Sequence, residues 1–351
     1  MPPRDGRATL STVARSAGVS VTTVSKVVNG RPDVGAGTRA LVESLLAQHD
    51  YIGRRSPAAE GSPATARIEV VLEGDLNAYS TKIIQGVLDA GGEAGIGVAI
   101  GTQAGADASR PRGWARDLAA AGRRAVIAVV DEPPSTDRAA LSRAHLPLVV
   151  IAPLNPQRER VTSVGSTNFA GGMAAAQHLL ALGHRRIGYV GGSSRSARDQ
   201  ARMHGYRAAL EAAGVPVPDD YQRTGDSRYQ DGIAGGAAQL DLPERPTAVF
   251  AGSDETAAGV IEAARARGLR VPDDLSVVGF DDTEVARLTS PPLTTVRQPL
   301  REMGGVALRT ALRLAAGEKL DSHHVELATE LIVRGSTAAR QVGGGADPAT
   351  R

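Results

Sequence analysis

From residue 67 onward the sequence alternates apolar runs of strand length with stretches of helix length, and it does so in two consecutive series. The first predicts strands at 68–72, 96–100, 125–130 and 148–151, separated by helices at 80–91, 112–121 and 136–144. The second predicts a helix at 170–182, a strand at 187–190, a helix at 198–213, a short strand at 221–224, a helix at 229–239, a strand at 248–251, a helix at 255–267 and a strand at 276–280. Strands that are apolar without a break must be covered on both faces, which means parallel sheets flanked by helices. Glycines at Leu182-Gly183-His184, Ala213-Gly214-Val215 and Arg267-Gly268-Leu269 read as helix C-caps that punctuate the pattern. Two such series predict two doubly wound lobes with a cleft between them, and ligands bind such sheets beyond the carboxyl ends of the strands.

Residues 8–60 are built differently. Leu10, Val13, Ala14 and Ala17 fall on one helical face, Gly18 supplies a tight turn, and Ser20 can cap a second helix running through Asn29. Val24, Val27 and Val28 are the expected buried side of that helix, leaving Val21, Thr22, Ser25 and Lys26 on or beside its outer face. A helix-turn-helix places such a surface in the major groove, where hydroxyl and apolar groups meet base edges and thymine methyls. Lys26 and Arg31 would reach phosphates, contacts that position rather than specify. An ordinary pair of packed helices fits the same periodicity. Residues 53–66, rich in Gly, Pro, Ser and Ala, read as a linker, and 341–351 as a disordered tail.

Charge supports this division only weakly. Lys plus Arg number 40 against 38 Asp plus Glu, a net charge of +2. Residues 1–60 carry 8 basic and 5 acidic side chains, a net +3, and the rest carry 32 and 33, a net −1. The absence of cysteine removes disulfides, thiolate nucleophiles and cysteine-ligated metals. The polar start with no following apolar run, and the lack of any eighteen-residue apolar stretch, lead to the expectation of a cytoplasmic chain with no membrane contact. With 3 Phe, 6 Tyr and 1 Trp the core must be mostly aliphatic. Neither a dinucleotide-binding glycine pattern after the first strand, nor a P-loop, nor a zinc-protease helix motif is present, so an enzyme is not expected, and no cofactor or metal is implied.

The segment TLSTVARSAGVSVTTVSKVVNGRPDV resembles the DNA-binding signature of the lactose-repressor/galactose-repressor family. The resemblance continues through DLNAYSTKIIQGV, STNFAGGMAAAQHLLALGHRRIGYVGG, RMHGYRAALEAAG, VPDDLSVVGFDD and SPPLTTVRQPLREMG, in order along nearly the whole chain. It implies an all-α helix-turn-helix headpiece followed by a two-lobed α/β core like a periplasmic binding protein. The implied domains are a headpiece with hinge at 1–60 and an effector-binding core at 66–340, ahead of the tail. Within the core, the first lobe takes about 66–164 and 297–324, and the second about 166–292 and 325–340. Pro291–Val296 would form one of three crossings between the lobes, allowing closure around a ligand.

Residue by residue, the resemblance makes Val21 and Thr22 base readers with Lys26 beside them. It places Ser20, Thr23, Ser25, Asn29 and Thr38 on backbone phosphates and Tyr51 near the end of the headpiece. Glu60 stands where the family carries a leucine wedge in its hinge, so Arg54 and Arg55 are the expected minor-groove or phosphate contacts. In the core, Asp281 directly follows the strand at 276–280 and matches the family's ligand aspartate, against the alternative of a loop aspartate capping 282–287. Arg202 matches the arginine that grips ligand oxygens. Ser253 stands where many members have asparagine, and Ala152 where some have aspartate. Asp75, Asn77 and Tyr79 are expected to line the opposite wall, and Phe169 either stacks on a sugar face or packs between lobes. The implied protein is a homodimer that binds a near-palindromic operator in double-stranded DNA and is released by a sugar or oligosaccharide, controlling carbohydrate uptake or degradation. Corepression by a purine-type ligand, or a cytoplasmic sugar-binding protein without operator function, are the alternatives.

Overall fold

The computed structural model describes residues 10–28, 31, 33–48, 67–74, 76–103, 110–111, 113–129, 133–152, 161–193 and 196–340. The chain divides into two compact units, Met1–Ala66 and Arg67–Arg351.

In the first unit three helices, α1 (Leu10–Ala17), α2 (Val21–Val28) and α3 (Ala36–Gln48), enclose a small core of Val13, Ala14, Val24, Val27 and Val42. Gly18 makes the turn between α1 and α2 at φ 64°, a left-handed conformation that costs glycine nothing. Ser20 caps α2, its Oγ accepting from the Thr23 N–H at 3.0 Å. Val28 departs from the expected buried side. It is 37% exposed, at the last residue of a helix only eight residues long whose buried residues are Val24 and Val27.

The second unit contains two six-stranded sheets. The first is ordered β11-β5-β4-β3-β1-β2, from β1 (Arg67–Glu73), β2 (Gly97–Gln103), β3 (Arg123–Val129), β4 (Leu148–Ile151), β5 (Thr162–Ser166) and β11 (His324–Leu327), all parallel. The second is ordered β12-β10-β9-β8-β6-β7, from β6 (Ile187–Gly191), β7 (Gln222–Thr224), β8 (Ala248–Ala251), β9 (Ser276–Asp281), β10 (Thr294–Arg297) and β12 (Glu330–Ile332), with only β12 antiparallel. In the first sheet α4 (Ala78–Glu93) and α12 (Leu300–Ala315) cover one face and α5 (Trp114–Ala120) and α6 (Ser135–Arg143) the other. In the second, α7 (Asn168–Ala181) and α8 (Ala197–Ala212) face α9 (Tyr229–Leu240) and α10 (Asp254–Arg265) across the strands. The short α11 (Glu284–Leu288) follows β9. Among the described residues no helix is long and apolar enough to cross a membrane.

The chain passes between the sheets three times, and two passages differ from the expected boundaries. Residues 294–297 pair with β9, so the passage expected within Pro291–Val296 falls at 298–299, and the first lobe, expected to resume at about 297, resumes with the helix at Leu300. Val325–Leu327 pair with β5 in the first sheet, not the second, so the last passage falls at 328–329. The short strands flanking this passage look like one apolar run in sequence, and only their different partners separate them. The passages are tied together: Ser166 Oγ donates to Gln298 Oε1, and the hydroxyls of Thr167 and Thr329 lie 3.0 Å apart.

Glycines set the spacing of α7 and α8. A β-carbon at Gly172 would overlap the Arg202 carbonyl oxygen, and one at Gly205 would overlap that of Phe169. The helices therefore touch backbone to backbone, which fixes where Arg202 leaves α8. Gly172→Ala is expected to force them apart, costing about 2 kcal/mol of stability by overpacking, measured by urea unfolding.

Candidate functional site

The outer face of α2 begins with Val21, 47% exposed, and Thr22, also exposed. Thr23 and Ser25 are half-buried, and Thr38 is half-buried in the first turn of α3. Ser20 and Thr23 hydroxyls lie 2.9 Å apart. Lys26 Nζ sits 2.6 Å from Asp33, whose carboxyl it holds below the usual carboxylate range. The pair is exposed, so Lys26 can trade this partner for a phosphate at small cost. Asn29, Tyr51, Arg54, Arg55 and Glu60 lie outside the described residues.

In the second unit a cleft of about 490 Å³ opens at the carboxyl ends of the strands. Asn77 and Tyr79 line it from the first lobe, and Arg202, Ser253 and Asp281 from the second. Of the expected residues, Asp75 lies outside the described residues and Phe169 opens on a different cavity. Asn77 is engaged as the N-cap of α4: its Oδ1 accepts from Ser80 N–H at 2.8 Å while its own N–H donates to Ser80 Oγ at 3.0 Å. Ser253 likewise caps α10, accepting from Thr256 N–H at 3.1 Å and donating to the Ser227 carbonyl at 3.0 Å. Its hydroxyl is held by the fold, so what it offers a ligand is a small, fixed oxygen.

Arg202 and Asp281 form the floor. Arg202 is 3% exposed and stacks over the Phe280 ring at 3.9 Å. Its Nε donates to Asn168 Oδ1 at 2.9 Å and its Nη1 to the Gly252 carbonyl at 2.5 Å, while Nη2 lies 3.5 Å from Asp281 Oδ1. This anchoring aims one edge of the guanidinium at the cleft. Asp281 does not cap the following helix. Its carboxylate accepts from Gln298 Nε2 at 2.6 Å. Its backbone is left-handed at φ 109°, followed by Asp282 at φ 54°, two strained non-glycine residues of the kind that cluster at binding sites. The carboxylate of Asp282 turns away to Arg297 and Arg334.

Four participants had not been anticipated from sequence. Asp254 is buried behind Asp281, accepting from Thr295 Oγ1 at 2.5 Å and from Thr283 N–H and Oγ1 at 2.7 and 2.9 Å. Burial, and then the charge of Asp281, push its carboxyl up to about 7, while burial pushes Asp281 to about 6 against the opposing pull of Arg202 and Gln298. Asp199 lines the same cleft with Oδ1 buried and lacking a hydrogen-bond partner among the described residues. Gln298 joins Asp281 to Ser166 where the chain passes between lobes. Lys82 of α4 reaches across, donating to the Asp282 carbonyl at 3.1 Å and pairing with Glu284 at 3.4 Å. A buried floor of carboxylates around one aimed guanidinium can accept from and donate to adjacent hydroxyls of a polyol. Among the described residues no cluster is placed to hold a metal ion.

Two family models match the chain. The model described as "Bacterial regulatory proteins, lacI family" matches residues 9–53, and that described as "Periplasmic binding protein-like domain" matches residues 176–337. The HTH-type transcriptional regulator DegA of Bacillus subtilis is 31% identical over 334 residues, covering 95% of this chain and 98% of that protein. Among solved structures, a transcriptional regulator CelR–cellobiose complex is 32% identical with a TM-score of 0.70, covering 94% of this chain and 100% of the other. A lac repressor dimer bound to operator and the anti-inducer ONPF is 28% identical with a TM-score of 0.77, covering 95% and 99%.

Proposed function

This chain belongs to the lacI family of bacterial regulatory proteins and is a ligand-responsive, DNA-binding regulator; from that premise we propose that it is a homodimeric repressor of carbohydrate uptake or degradation genes, released from its operator by a saccharide. The observation that carries the reading is the path from cleft floor to hinge: Asp281 to Gln298 to Ser166. A ligand that engages Asp281 acts on the residues that pass between the lobes, so occupancy and lobe orientation are coupled. The CelR–cellobiose complex supports a saccharide as the ligand class.

The proposed sequence of events runs from this coupling. The saccharide draws the lobes together over Arg202 and Asp281, with Asn77 and Tyr79 on the facing wall. The first lobes shift, the two headpieces separate, and operator affinity falls. Effector affinity and operator affinity must then be linked by the same factor in both directions. On DNA, Val21 and Thr22 read bases, while Ser20, Thr23, Ser25, Lys26, Asn29 and Thr38 hold phosphates, with Tyr51, Arg54 and Arg55 completing the contact. Residues 1–60 form the headpiece and hinge, and 66–340 the effector core. The net +3 on residues 1–60 is small, so operator affinity depends on pairing two headpieces.

The test is nuclease footprinting of the DNA upstream of the neighbouring operon, followed by titration with saccharides and purines. The expected result is one discrete protected palindrome with half-sites about one helical turn apart, lost as a saccharide is added. Protection without a palindrome overturns the dimeric operator reading. Protection strengthened by a purine overturns the saccharide reading.

A further inference from the structure

A second cavity of about 380 Å³ adjoins the first, and Arg198 lines both. Arg202, which lines the first, donates to Asn168, which lines the second. Phe169 opens on this second cavity. The chain has three phenylalanines; Phe250 and Phe280 are fully buried, whereas Phe169 is 46% exposed. Left half in water, Phe169 offers an aromatic surface to the lining of this space. Across from it, β11 contributes His324 and Glu326, both partly exposed and 3.5 Å apart. Alanines at 152, 170, 197 and 201 keep the volume open. An aromatic face opposite a carboxylate is what a sugar ring requires: its C–H face packs on the ring, and its hydroxyls donate to the acid.

We propose that the two cavities are consecutive subsites of one binding site, so that the effector is a saccharide of at least two rings. One ring rests on Arg202 and Asp281; the next lies over Phe169 with its hydroxyls on Glu326. This deepens, and rests on, the saccharide reading of the cleft. The second ring contacts both lobes, because Glu326 belongs to the first sheet and Phe169 to the helix that opens the second lobe. A longer ligand therefore binds tighter and also bridges the same lobes whose closure releases the operator.

Calorimetry on the full chain tests this with matched probes: glucose and cellobiose, xylose and xylobiose, galactose and lactose. For at least one pair the disaccharide is expected to bind about tenfold tighter than its monosaccharide, the worth of one stacked ring and one charged hydrogen bond. Phe169→Ala and Glu326→Gln should each shrink that ratio to within about threefold. Equal affinity for both lengths in every pair, or a ratio unchanged in both variants, overturns the two-subsite proposal and leaves the cleft a monosaccharide site. Binding of neither length overturns the saccharide reading of the cleft itself, and the subsites with it.

Discussion

Replacing Asp281 by asparagine is expected to lower saccharide affinity about a hundredfold while leaving operator binding without effector within about threefold of wild type. A carboxylate that accepts from two ligand hydroxyls contributes charge-assisted bonds of roughly 1.5 kcal/mol or more each, and about 3 kcal/mol in total corresponds to that factor. Asparagine is the informative variant for two reasons. Asp281 sits at φ 109°, where asparagine is better tolerated than most residues. Its amide oxygen can still accept from Gln298 Nε2, so the link to the passage between lobes survives. Alanine would instead leave both Gln298 Nε2 and the Arg202 guanidinium without any facing acceptor oxygen, adding a structural cost to the loss of the ligand contact. α1–α3 belong to a separate compact unit, so operator contacts do not run through Asp281. The measurement is operator binding by fluorescence anisotropy, titrated with the saccharide. Loss of operator affinity in parallel with inducibility would make Asp281 a structural residue and sink its assignment to the ligand.

What the sequence made legible follows from what burial does to composition. Strands β3, β6, β8 and β9 are covered on both faces, so they appear as unbroken apolar runs and were placed to within one or two residues. β5 was invisible for the opposite reason. Its residues are Thr-Ser-Val-Gly-Ser, yet Ser163 and Ser166 are buried, their hydroxyls engaged by His324 Nδ1 at 2.9 Å and by Gln298. Polar partners from more than 130 residues downstream complete that strand, and no local pattern contains them. The site divides in the same way. Asp281 is legible because it ends an apolar strand and matches a motif, and Arg202 because it lies in another. Asp254 reads locally as an acid in the first turn of a helix, a common place for one, and only the tertiary fold sets it behind Asp281. Gln298 carries no signal at all beside Pro299. Phe169 was open between stacking and packing, and its exposure to the second cavity favours stacking.

Asp254 supports the other large effect, on stability and its dependence on pH. Its carboxyl is pushed up to about 7 by burial and by the charge of Asp281, so the folded state holds a proton that the unfolded chain releases near the ordinary value of 3.8. A folded pKa above the unfolded one means that the protonated form is the favourable one. Stability on this account is full below about pH 4, declines as pH rises through 7, and stays reduced above it. Asp254→Asn supplies the uncharged form at every pH. Its amide oxygen can accept from Thr283 N–H and Oγ1, and its amide nitrogen can donate to Thr295 Oγ1, so the buried polar groups stay satisfied. Wild type and variant are therefore expected to unfold at nearly the same temperature at pH 4.5, with the variant becoming the more stable by roughly a few kcal/mol by pH 8. Where Asp281 titrates, Asp254 is already largely protonated, so the variant leaves the charge around Asp281 nearly unchanged there. Saccharide affinity should therefore fall as pH drops through about 6, where Asp281 takes up its proton, in wild type and variant alike. Thermal unfolding and calorimetric titration across pH 4.5–8 measure both. A constant difference in unfolding temperature would mean that Asp254 is ionised throughout, and a variant whose affinity falls at a clearly lower pH than wild type would mean that Asp254 still carries its charge where Asp281 titrates.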